Sequence, residues 1–116
     1  INYLVREIEN NAKITVYTKA TRNLIDVEDV CKITDEILKN FTPNHIYNLA
    51  YLQNFCIIQI TETISKVLKT EPLLQLQNKG SGYEIEVSEI EYYFKENNLT
   101  DKDQYLSNLI MKYYKN

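Results

Sequence analysis

The chain has 116 residues, 44% hydrophobic and 25% charged, with thirteen Lys and Arg against sixteen Asp and Glu for a net charge of −3. That length and mixture describe one globular domain with room for a core rather than a disordered tail or a fibre. The acidic balance speaks against a phosphate backbone or an anionic membrane as partner, and no apolar run approaches the roughly 20 residues that span a bilayer; neither nucleic acid nor membrane is expected.

Ile1, Leu4, Val5 and Ile8 recur at helical spacing until Asn10-Asn11 breaks the pattern. The chain opens inside this helix with no capping residue ahead of it, so it reads as a piece cut from a longer protein. From Lys13 to Thr18, Ile14 and Val16 alternate with Thr15 and Tyr17 as in a half-buried strand, and Leu24-Ile25 reads as a second short strand. Asp26 stands where an N-cap belongs, with Glu28 and Asp29 in the first turn, so a helix follows to about Phe41. After a Thr42-Pro43-Asn44 turn, His45 to Ala50 (HIYNLA) reads as a strand. With Leu24-Ile25 and the intervening helix it would make a parallel β-α-β crossover.

Ile57, Ile60, Ile64, Val67 and Leu68 mark another amphipathic helix, stopped by Pro72. Leu73 to Gln77 and Tyr83 to Val87 are strand-like and flank Asn78-Lys79-Gly80-Ser81-Gly82, a loop of residues that tolerate positive φ, hence a hairpin or a ligand-facing loop. Ser88 and Glu91 have capping-box spacing for a short helix through Ile90, Tyr93 and Phe94, and Thr100 is placed to cap a last helix carrying Leu106, Leu109, Ile110 and Tyr113.

Most catalytic constellations are missing. Cys31 and Cys56 form neither a C-x-x-C redox pair nor a zinc set, which fits a reducing, cytoplasmic setting. A lone His45 supplies no metal cluster and no obvious Ser-His-Asp relay. The sequence lacks a G-x-G-x-x-G, a Walker loop and an H-E-x-x-H. Gly80-Ser81-Gly82 by itself is more simply a turn than a phosphate cradle. The ten tyrosines accompany abundant Asn, Ile and Lys, an AT-rich codon set, so they need not mark a stacking surface. Arg22, one of two arginines, has the planar fork that grips phosphate.

The context of Arg22 points further. Ile14 to Val30 reads ITVYTKATRNLIDVEDV and resembles the segment of the extended short-chain dehydrogenases/reductases, the NAD-dependent sugar-nucleotide epimerases and dehydratases, in which an I-x-V-Y strand leads to an Arg and then to V-x-D-V. HIYNLA is similar to that family's apolar-Tyr-Asn-Leu-Gly strand, Ile57 to Leu68 to the helix after it, Pro72 to Leu76 to a strand of the substrate lobe, and EVSEI (Glu86 to Ile90) to the start of its next helix. The resemblance spans all 116 residues but matches only the C-terminal part of such a protein: neither a glycine fingerprint nor a Tyr-x-x-x-Lys is present.

The resemblance implies an α/β chain that is the C-terminal substrate-binding segment, residues 1–116, of a Rossmann-type protein whose nucleotide-binding half lies outside it. NAD(P) would be held mainly by that other half, with no cofactor on this segment, and the segment alone would not turn over. Arg22 would contact the diphosphate of a nucleotide-sugar. Lys79 stands nearest to where the family has a second Arg, and Gly82 and Tyr83 on the same loop would approach the substrate. Broad apolar faces on the two long helices and an unpaired strand edge imply self-association. The alternative is a winged-helix-like interaction or DNA-binding module, with Cys56 to Leu68 as its helix and Leu73 to Val87 as its wing. A purely structural helical adaptor is a third reading.

Overall fold

The structure, a computed structural model, describes residues 1–40 and 45–115. Helix α1 (Asn2–Glu9) leads into strand β1 (Lys13–Tyr17), and β2 (Thr21–Arg22) precedes α2 (Val27–Lys39). Strand β3 (Phe55–Cys56) runs directly into α3 (Ile57–Leu68), followed by β4 (Leu73–Gln77), α4 (Glu91–Glu96) and α5 (Lys102–Tyr114). β1 and β4 pair in parallel, from Lys13 opposite Leu73 to Tyr17 opposite Gln77, while β2 and β3 pair antiparallel. The fold is mixed α/β with two-stranded sheets only; among the described residues there is no larger parallel sheet.

Local chemistry explains the elements that form. Asp26 caps α2 by accepting from the Glu28 amide, and the ammonium of Lys112 on α5 reaches both Asp26 and Glu28 at 2.9 Å. Helix α5 is capped by Asp101, which accepts from the Gln104 amide, so the cap sits one residue beyond Thr100. Helix α3 ends with Lys69 in the left-handed region (φ 54°). The alternation in β1 buries Ile14 and Val16 and exposes Lys13, Thr15 and Tyr17, as a one-sided strand requires.

The core lies where α1, α3 and α5 meet β1. Ile8, Ile33, Ile60, Ile64, Leu106 and Ile110 supply its aliphatic part. Beside them sits an aromatic group in which Tyr51 stacks on Tyr105 with ring centres 4.0 Å apart and meets Phe94 edge-on at 5.2 Å, a geometry that suits the ring quadrupoles. The hydroxyls of Tyr93 and Tyr105 both donate to the buried carboxylate of Asp29, at 2.6 and 2.7 Å, and the Tyr51 hydroxyl donates to the Leu99 carbonyl.

Four sequence expectations are corrected. Leu24-Ile25 forms no strand and the β-α-β crossover is absent: the ladder partner of the upstream chain is β3, at Thr21–Arg22, and the parallel pair is β1–β4. His45 to Ala50 has no ladder partner, and Ile46 is 84% exposed. Tyr83 to Val87 is no strand and there is no hairpin, because side-chain amides occupy its carbonyls: Asn54 donates to that of Tyr83 and Asn48 to that of Glu86. The wing of a winged-helix module is therefore not formed. The capping box is also absent, since Glu86 rather than Glu91 receives the Ser88 amide and α4 begins without a side-chain cap. Phe41 and the Thr42-Pro43-Asn44 turn lie outside the described residues.

Candidate functional site

Strand β2 separates two depressions. Its two residues point to opposite faces, as successive strand residues do, so Thr21 lines one depression and Arg22 the other. The Arg22 side is a hollow of about 300 Å³ between α1, β1 and the start of α3, lined by Tyr3, Leu4, Thr15, Tyr17, Ala20, Arg22 and Ile57. Tyr3 and Tyr17 are about half-exposed, which leaves aromatic surface open beside the guanidinium. Arg22 donates one hydrogen bond to the Thr21 carbonyl at 2.7 Å, and among the described residues it is in no ion pair. Four of its five donors stay free for an anion.

The Thr21 side is a larger cleft of about 570 Å³ walled by Asn23, residues 51–54 and the loop from Gly82 to Ile85. Amides organise it. Asn23 donates to the Tyr51 carbonyl and accepts from the Tyr51 amide, both at 2.9 Å, and donates to Asn54 at 3.1 Å; Asn54 in turn holds the Tyr83 carbonyl. No cationic side chain lines this cleft, and Glu84 does. Its chemistry suits uncharged hydrogen-bonding groups such as hydroxyls and opposes phosphate.

The residues singled out in the sequence are thus divided. Gly82 and Tyr83 line the amide cleft, Arg22 lies on the other face of β2, and Lys79 is exposed on the loop with its carbonyl accepting from the Lys19 amide at 3.0 Å. Both glycines serve close packing. A Cβ on Gly82 would come within 2.0 Å of the Thr21 hydroxyl, and one on Gly80 within 2.8 Å of Ala20, where φ is also +98°. Sequence reasoning missed Tyr3, Tyr17, Asn23 and Asn54. The tyrosines carried no signal beyond composition, whereas Asn23, next to Arg22, lay within the stretch already singled out.

No protein-family profile matches the chain, and no curated protein does. Among solved structures, its fold is similar to that of part of a 4,6-dehydratase. One similar chain is dTDP-glucose 4,6-dehydratase from Bacillus anthracis str. Ames, solved in complex with NAD, at 20% identity and a TM-score of 0.68. The likeness covers 98% of this chain and 38% of that one, so the present chain spans well under half of the dehydratase's length.

The NAD in that relative invites a test of fit here. A dinucleotide site needs a strand entering a helix through a glycine-rich turn, so that amides at the helix start meet the pyrophosphate. Here β3 passes into α3 at Cys56-Ile57 without a glycine, and the two glycines of the chain pack on Ala20 and Thr21 instead. The described residues hold no such glycine-rich turn at this junction. Nor do they bring together three His, Cys, Asp or Glu side chains able to hold a metal ion, and no described helix is long and apolar enough to cross a membrane.

Proposed function

We propose that this chain is the substrate-holding part of an NAD-dependent sugar-nucleotide epimerase/dehydratase-like protein, with cofactor and proton-transfer chemistry supplied by residues outside it. The observation that carries the reading is the fold likeness, continuous over 98% of this chain, to one portion of a dTDP-glucose 4,6-dehydratase. The Arg22 hollow supports it: a free guanidinium beside two tyrosine rings and the apolar Leu4 and Ile57 offers a fork for a phosphate and flat surface for a base. Arg22 then acts by position, anchoring the diphosphate so that the sugar reaches the chemistry. The amide cleft, with Gly82 and Tyr83 on its wall and Lys79 on the loop leading to it, is the complementary place for hydroxyl-rich groups.

Calorimetric titration of the chain with dTDP, UDP and GDP tests this. Wild type is expected to bind one of them, and Arg22→Ala to weaken that binding by about 1.5–3 kcal/mol, the range of a hydrogen bond to a charged group. Arg22→Lys should recover only part, because a point charge cannot reproduce the fork. Equal affinity for wild type and Arg22→Ala would remove Arg22 from the site.

A further inference from the structure

The outer edge of β4 is unpaired, and its sequence is complementary to itself. β4 has β1 on one side and no strand on the other among the described residues. Leu73 and Leu76 are 54% and 53% exposed, and the strand from Leu73 to Gln77 carries no charge. Natural edges are usually blunted by charge, a bulge or cover, and this one has none of these within the strand. The Gln77 carbonyl accepts from the Thr18 amide at 2.9 Å, so the backbone groups of Gln77, Gln75 and Leu73 face β1. By alternation those of Leu74 and Leu76 face outward.

We propose that β4 is a dimerisation edge that pairs antiparallel with β4 of a second copy about a two-fold axis at Gln75. That register sets Leu74 against the partner's Leu76, with each pair exchanging both backbone hydrogen bonds, and it joins the two small sheets into one of four strands, β1-β4-β4-β1. The leucines meet on the face shared with Ile14 and Val16, and Gln75 meets the partner's Gln75 across the axis. Charge specifies the second copy as the occupant. Glu71 and Lys79 lie at opposite ends of the strand, four residues either side of Gln75. The chain turns after Gln77, where the Lys79 amide donates to the Gln77 carbonyl at 2.8 Å, so it is through their long side chains, not a continued ladder, that the pairing brings opposite charges together at each end. Both residues are exposed, and neither is in an ion pair among the described residues. An isologous contact of this kind closes at two copies rather than growing into a fibre. The inference is independent of what Arg22 binds.

Sedimentation equilibrium over a concentration series tests it on the chain and two exposed-site variants whose folding is checked by circular dichroism. Wild type is expected to show a monomer–dimer equilibrium that stops at two copies. Lys79→Glu places like charges at both ends of the pairing and should weaken the dimer about tenfold. Glu71→Lys combined with Lys79→Glu should restore the wild-type constant. A monomer at all concentrations, growth beyond two copies, or a dimer that ignores the single reversal or is not rescued by the double one would overturn the proposal.

Discussion

Asp29 is a carboxylate only 8% exposed, and two tyrosine hydroxyls solvate it. Burial pushes all three core tyrosines up: Tyr51 to about 12, helped by the charges of Asp101 and Asp29, and Tyr93 and Tyr105 also well above their ordinary value, with Asp29 adding to the effect. A raised pKa in the folded state means that the unfolded chain loses its protons first. The stability these groups contribute is therefore complete below about pH 10 and falls as the pH rises toward the folded values, by up to roughly 1.4 kcal/mol per pH unit for each tyrosine. Urea midpoints measured from pH 8 to 12 should be flat at first and then drop steeply. A midpoint that did not move above pH 10 would mean that these hydroxyls are accessible to solvent when folded.

At the scale of elements, much of the secondary structure is legible in the sequence. The Asp26 cap, the periodicity of α2 and α3 and the alternation in β1 all give local signals, and these elements form. Pairing is not legible in the same way. Nothing in Lys13 to Tyr17 names Leu73 to Gln77 as its neighbour, and HIYNLA has the composition of a strand but no edge to join. Tyr83 to Val87 likewise loses a ladder to the amides of Asn54 and Asn48, a competition that periodicity does not register. The same limit governs the site: Arg22 stands out by its context, whereas Tyr3 and Tyr17 come beside it only because α1 packs next to β1. The contact between the loop and β2 carries its own expectation. Gly82→Ala puts a methyl against the Thr21 hydroxyl and should destabilise by about 1–3 kcal/mol, the range of overpacking. Thr21→Ala in the same chain should return part of the loss, because neighbouring changes are not additive. Additive effects in denaturant unfolding would show that the loop simply moves aside.

For the molecule as a whole, the net charge of −3 and the Arg22 guanidinium, in no ion pair among the described residues, fit a small anionic ligand held at one point better than a polyanion held along a surface. The two depressions divide the polar chemistry, cation and aromatic rings on one side of β2 and amides on the other. The fold likeness to part of a dTDP-glucose 4,6-dehydratase gives that division a purpose in the proposed reading, with the nucleoside diphosphate on the Arg22 side. The most direct test is an NMR titration of the chain with a nucleoside diphosphate, following the Arg22 guanidinium and the tyrosine rings. The account predicts saturable shifts of Arg22, Tyr3 and Tyr17 that define one site. Saturating ligand that leaves these three unmoved, or shifts only the amide cleft around Asn54 and Tyr83, would contradict it.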